Sequence, residues 1–285
     1  MALVLMAALS MALLFATFKV FARRSIPLLP AIVVNYFTAF VIGTAITLPW
    51  KADLAVPLIA PAALLGALFI IFFYVTAVAT DRVGVAISTV SSKMSLVLTV
   101  LFAVFIFGDR PGIMGWCGIL LAFIAVLASA WPSSDEARGR GQWWLPLVLF
   151  LGTAVVDITL NTVQRTVLTR QTAALFPAFV FGVAGFLGLM VMVARRSAHQ
   201  LRDHRALLGG LVLGGINYAS VHFIIGALDR SGFPPSSVFP LMNIGVILFG
   251  TAISMVAFAE RLRPVQWTGV ICAIIAMALI LSDKS

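Results

Sequence analysis

The sequence predicts an all-α membrane protein of ten transmembrane helices arranged as two inverted five-helix repeats. Three observations carry this prediction. Of 285 residues, 62% are hydrophobic and 10% charged; the charges fall between long apolar runs; and a short motif recurs in the second half. A soluble domain holds about 45–50% apolar and about 25% charged residues. With a mean hydropathy of +1.11, the composition excludes cytosolic enzymes and disordered scaffolds.

A helix needs about 20 mostly apolar residues to cross a hydrocarbon core about 30 Å thick, and it satisfies its backbone polar groups internally. Eight intervals free of Asp, Glu, Lys and Arg are long enough: 1–18, 25–50, 54–80, 111–134, 171–194, 206–228, 231–259 and 264–282. Two more, 83–108 and 141–164, are interrupted by a single charge each, Lys93 and Asp157. The first run precedes the basic cluster Lys19, Arg23 and Arg24 instead of following one, so it is expected to persist as a helix and not to act as a secretory signal. Segments such as Ala63–Tyr74 and Ile271–Leu281 do not alternate in polarity as barrel strands do. The longest hydrophilic stretch, Ser133 to Gln142, is too short to fold alone, so no soluble domain is expected.

The formal charge of +9 comes from 19 Lys plus Arg and 10 Asp plus Glu. These cations are scattered between apolar runs with no continuous basic face, which points to anionic lipid headgroups as partners and not to nucleic acid. The odd-numbered loops carry twelve Lys and Arg, and the even loops with the C-terminus carry six. That bias places the odd loops in the cytoplasm and both termini outside. Cys117 and Cys272 each lie inside an apolar run, so no disulfide framework is expected.

At an offset of 151, residues 109–125 lie on 260–276 with identities Arg110/Arg261, Trp116/Trp267, Gly118/Gly269, Ala122/Ala273, Ile124/Ile275 and Ala125/Ala276. Asp81-Arg82-x-Gly84 matches Asp229-Arg230-x-Gly232 at an offset of 148, and Tyr74 falls on Tyr218 at 144. The expected division is a first repeat over 1–132, a linker loop over 133–142 and a second repeat over 143–285. An odd number of helices per copy starts the second copy on the opposite face. Such inverted repeats are the recurring plan of secondary transporters, with the substrate site near the bilayer midplane.

Two five-helix copies, each closing with an acidic-Arg turn and a Trp-x-Gly helix (Asp109-Arg110 with Trp116-x-Gly118; Glu260-Arg261 with Trp267-x-Gly269), resemble the drug/metabolite transporter superfamily, specifically its EamA-like branch. The resemblance covers nearly the whole chain and implies an exporter of amino acids, other small metabolites or drugs. It also implies both termini in the cytoplasm, against the loop charges, and a proline in the fourth helix, where this chain has Ser92-Lys93 while keeping Pro240 in the ninth.

Candidate site residues follow from the cost of polarity in hydrocarbon. A Lys or Asp at the centre of a spanning helix costs about 2.5–3.5 kcal/mol on insertion scales and therefore faces a partner or a watery cavity. Lys93 is the candidate anchor for a substrate carboxylate or phosphate; its alternative role is a structural ion pair. Asp157, with Asn161 one turn after it and Thr153 one turn before it, is the candidate proton-linked or cation-facing group and is expected to pair with Lys93 in the empty carrier. Asn161, Tyr74, Tyr218, Asn35 and Asn243 are further candidate substrate contacts, one or two of them expected to touch substrate and the rest to make interhelical hydrogen bonds. His222, one turn from Tyr218, is a candidate for coupling, since imidazole changes charge near neutral pH, or else makes an interhelical hydrogen bond. Pro234, Pro235 and Pro240 are expected to make the ninth helix irregular where it lines the cavity. The glycine rows Gly210–Gly214 and Gly112, Gly115, Gly118 are expected to serve packing.

No nucleotide loop, zinc-binding His pair or nucleophile elbow is present in the sequence. No enzyme activity, cofactor or metal is therefore expected. The expected protein is a secondary active transporter, an exporter or exchanger of a small polar metabolite such as an amino acid, in the bacterial inner membrane. Protons or sodium are the expected coupling ions, and the expected state is monomer or homodimer. An exporter of cationic hydrophobic drugs and a non-transporting membrane scaffold are the alternatives.

Overall fold

A computed structural model describes residues 1–47, 58–108, 112–129, 142, 144–168, 172, 175–230 and 235–282. The turn Asp109-Arg110, the linker 133–142 apart from Gln142, Gly232 and Pro234 lie outside the described residues. Every regular element described is helical. Among the described residues, nine helices are long and apolar enough to cross a membrane, and a tenth apolar helix is shorter. This is the make-up of a multi-pass membrane protein.

In chain order these are α1 (Ala2–Arg23), α2 (Leu28–Thr47) and α3 (Ile59–Val83), then α4, built of Val85–Met94, Leu96–Phe102 and a π-turn Ala103–Phe107. The shorter helix α5 (Ile113–Ser129) follows, then α6 (Trp144–Thr166), α7 (Phe176–Ala194), α8 (His204–Arg230), α9 (Pro235–Phe258) and α10 (Pro264–Ser282). Among the described residues, nine of the ten apolar intervals thus hold a helix of membrane-spanning length, and interval 111–134 holds the shorter α5.

Local chemistry sets the ends. Gly84, at φ +92°, stops α3 and starts α4, a backbone state that a side chain would strain. Gly108 closes the π-turn in the left-handed conformation of a C-terminal cap. The irregular helix of the bundle is α4. Its break falls at Ser95, whose Oγ lies 2.6 Å from the Ser92 carbonyl oxygen and competes with the backbone ladder. In α9 the helix runs through Pro240 without interruption.

Lipid tails are as apolar as Leu, so contact between helices is won by close packing. Gly210 and Gly214 of α8 sit against the backbone of α2; a Cβ on either would stand 2.6 Å from the carbonyl oxygen of Ala31 or Asn35. Gly118 brings α5 equally close to α10, at 2.8 Å from the Ala276 carbonyl oxygen. Two main cores result. One gathers α1, α2, α3, α7 and α8 around Phe18, Tyr36, Ile70, Phe181 and Leu213. The other gathers α4, α5, α6, α9 and α10 around Met94, Ile119, Phe150, Ile247 and Val270.

Candidate functional site

Between these cores lies a cavity of about 210 Å³ lined from α1, α2, α3, α4, α6 and α8. Its wall is aromatic, with Phe15, Phe18, Tyr36, Phe69, Phe72 and Phe73. Phe18 meets Phe73 edge-on at 4.8 Å between centroids, and Phe181 of α7 backs Tyr36 and Phe69 from outside at 6.0 and 6.2 Å. The polar groups are few: Thr76, Ser92, Thr153, Asn217 and one charged side chain, Lys93.

Lys93 lies eight residues into α4, about 12 Å from its start at 1.5 Å per residue, near the middle of a core about 30 Å thick. Its Nζ donates to Met11 Sδ at 3.6 Å, a weak acceptor. No carboxylate among the described residues forms an ion pair with it. An ammonium has three donors, so this amine enters the cavity with most of its hydrogen-bonding capacity unspent.

Asp157 on α6 stands close enough to Lys93 for each charge to act on the other, yet the expected direct pair does not form. Its Oδ2 is instead 2.7 Å from Ser95 Oγ, at the break of α4. Ser95 thus touches two acceptors, the Ser92 carbonyl and the Asp157 carboxylate. A hydroxyl has one proton, so it serves one of them at a time. Ser92 and Thr153 link the same two helices at 3.3 Å.

Asn35 and Asn217 tie α2 to α8, Nδ2 of Asn217 donating to Oδ1 of Asn35 at 3.2 Å. The Nδ2 of Asn35 is buried with no partner, as is Oδ1 of Asn161 one turn beyond Asp157. Asn243 is buried on α9, away from the cavity lining. Tyr74 is 40% exposed on α3 and His222 is exposed on α8, its ring tilted by 30° against that of Tyr218 at 6.2 Å between centroids. Of the candidate residues Lys93 lines the cavity; Asp157 is held by Ser95 beside it and Asn35 is joined to it through Asn217, while Asn161, Asn243, Tyr74, Tyr218 and His222 are not part of its lining.

Sequence reasoning missed Ser95, Met11 and the aromatic wall. The signal for Ser95 was present: Ser88, Thr89, Ser91, Ser92 and Ser95 crowd around Lys93, and all are buried.

A second amine and carboxylate close one end of the bundle. Lys19 of α1 and Glu260, just past α9, form an ion pair at 3.2 Å with 16% and 18% of their side chains exposed. Lys19 Nζ also donates to the Asp81 carbonyl at 2.7 Å. Glu260 Oε2 accepts from the Val85 N–H at 3.0 Å and from the Ser254 hydroxyl. A carboxylate thus caps the positive end of α4. Arg23 adds a bond to the Phe258 carbonyl at 2.6 Å and lies over the Phe258 ring. Loops one, three and nine therefore meet on one face.

No family model matches the chain. An uncharacterized protein of Haemophilus influenzae is 28% identical over 216 residues, spanning 75% of this chain and 72% of that one. A protein of known crystal structure superposes with a TM-score of 0.60 over 99% of both chains at 15% identity, a likeness of fold alone.

Proposed function

We propose that the chain is a secondary carrier of small organic anions or zwitterions, working by alternating access between two inverted five-helix halves, in the manner its resemblance to the EamA-like branch implies. The observation that carries this reading is the amine of Lys93, set deep in α4 at a cavity, with a thioether as its one hydrogen-bond partner among the described residues. A buried cation left this open is a receptor for an anion brought from outside.

The helix contacts support the two-fold plan. Exchanging each helix with the one five places along turns the α1–α8 contact into α6–α3, α1–α9 into α6–α4, α2–α8 into α7–α3 and α9–α10 into α4–α5. The pairs α2–α7, α4–α9 and α5–α10 map onto themselves. The correspondence is partial: α1 also packs on α3 and α4, α2 on α3, α4 on α10 and α5 on α6, and among the described residues none of these has a comparable counterpart in the exchange. The Lys19–Glu260 cluster lies at the α1 side and would hold that face shut.

Volume separates the candidate substrates. About 210 Å³ holds about seven waters at about 30 Å³ each, below the range of about 300–1,000 Å³ for drug-sized ligands. A small metabolite fits this conformation better than a cationic hydrophobic drug, and the aromatic wall favours one with an apolar body. Asp157 and Ser95 supply a proton-dependent contact beside the break in α4, which suits proton coupling. The bacterial inner membrane is the proposed location.

Counterflow in proteoliposomes, with labelled amino acids and small carboxylates, tests the reading. Saturable exchange that Lys93→Ala abolishes, with membrane insertion intact, is the expected result. Absence of exchange across the panel would favour a scaffold.

A further inference from the structure

Outside the central cavity, α1 and α8 run antiparallel along their length: Gly209 sits against Phe21 at one end and Gly226 against Leu3 at the other. Between them is a larger trough of about 780 Å³, apolar along most of its course and basic at one end. Its apolar lining includes Leu13, Leu208 and Val212, which are 38%, 60% and 59% exposed, so the trough opens sideways onto the surface that faces acyl chains. Its basic end holds Arg24, His204 and Arg205. All three are exposed, and no carboxylate among the described residues pairs with their side chains. Arg23 is turned inward onto Phe258, and Asp203 is engaged through Oδ1 by the Arg205 backbone N–H.

Scale and charge together identify the occupant. From Arg24 back to Leu13 is eleven residues of α1, about 16 Å of helix, which is one leaflet of a hydrocarbon core about 30 Å thick. We propose that this trough is a binding site for one anionic phospholipid, its phosphate held by Arg24 and Arg205 with His204 beside them, and one acyl chain lying between α1 and α8. A free phosphate would match the arginines but leave the apolar trough unfilled; a zwitterionic lipid would bring an ammonium toward two guanidinium groups. The trough lies on α1, the helix that carries Lys19 and Met11, and the proposal stands whether or not the chain transports anything.

The test is native mass spectrometry of the full chain in detergent, titrated with phosphatidylglycerol and phosphatidylcholine of identical acyl chains. Wild type should retain phosphatidylglycerol preferentially, and inorganic phosphate should not displace it. Arg24→Ala/Arg205→Ala should weaken retention on the order of tenfold or more, with each single variant intermediate. Arg195→Ala/Arg196→Ala, which removes two exposed arginines of the neighbouring loop outside the trough, should leave it unchanged. Val212→Trp, which fills the trough and spares both arginines, should weaken phosphatidylglycerol retention. Equal loss from both arginine pairs would reduce the effect to diffuse surface charge and overturn the site. So would equal retention of the two lipids, displacement by phosphate, or indifference to Val212→Trp.

Discussion

Two amine–carboxylate arrangements lie inside this bundle, built from the same functional groups and left in opposite states. At the end of α1, Lys19 is spent: it has the Glu260 carboxylate at 3.2 Å and the Asp81 carbonyl at 2.7 Å, and Glu260 in turn caps α4. Twelve ångströms further along α4, by the rise of about 1.5 Å per residue, Lys93 has a thioether at 3.6 Å, while the nearby carboxylate of Asp157 is held by Ser95. Burial alone does not separate structure from function here. On the function proposed here the unspent donors do, because a buried charge short of partners is costly unless a ligand completes it.

The largest effect is expected where the amine is open. Lys93→Ala should lower counterflow of a carboxylate substrate by at least about thirtyfold, the equivalent of 2 kcal/mol or more for losing one partner of a desolvated charge pair. Thermal stability should hold or rise, since an under-solvated cation is removed. A variant that unfolds instead would place Lys93 with Lys19, as a structural ion, and erase the contrast.

The closed pair should behave in reverse. Glu260→Gln or Lys19→Met leaves one buried charge uncompensated; full burial would cost about 3–5 kcal/mol, and with 16% and 18% exposure about 2 kcal/mol is expected after solvent screening. The double variant Lys19→Met/Glu260→Gln should recover part of the loss, measurable as a melting temperature between wild type and either single variant. If this pair also shuts one face, the double variant should increase labelling of a cysteine placed at Phe18 from the loop-one side. Additive losses in the double variant would show that the two residues act independently.

How much of this contrast was legible in the sequence depends on what interrupts an apolar run. Lys93 and Asp157 stood out because each is a lone charge in a stretch that otherwise qualifies as a span, and the same counting placed the helices. The aromatic wall did not stand out. Phe69, Phe72 and Phe73 look like any lipid-facing residues, since in a membrane both faces of a helix are apolar and the 3.6-residue alternation that marks a soluble core fades. The Lys19–Glu260 pair spans 241 positions of chain, so no local pattern announces it; Glu260 showed only as the acidic half of a repeated turn. The break in α4 escapes sequence reading for a physical reason. Proline at position 240 suggested irregularity in α9, yet α9 continues through it, while Ser95 breaks α4 by side-chain competition that proline counting does not detect.

A smaller effect is expected at the carboxylate beside Lys93. Asp157→Asn removes the proposed proton-exchanging group while keeping a partner for Ser95, so exchange of substrate across the membrane should persist and its dependence on a pH gradient should vanish. Ser95→Ala should shift the pH profile without abolishing exchange, because Asp157 loses its donor and α4 its proton-sensitive contact. An unchanged profile in both variants would remove Asp157 from coupling and leave it a packing group.

The smallest effect tests whether the distinction between spent and unspent groups extends to neutral polar side chains lining the cavity. Tyr36 faces the cavity, but its hydroxyl already donates to the Phe69 carbonyl at 2.9 Å. By the logic that separates Lys19 from Lys93, this hydroxyl ties α2 to α3 and has no proton left for a substrate. Tyr36→Phe should therefore cost about 1 kcal/mol of stability, the net worth of one hydrogen bond, and leave the KM of counterflow within about twofold of wild type. A KM raised tenfold at unchanged stability would mean that the hydroxyl turns from Phe69 to the substrate during transport. The bonding state seen here would then not predict which groups the substrate recruits, for Lys93 no less than for Tyr36.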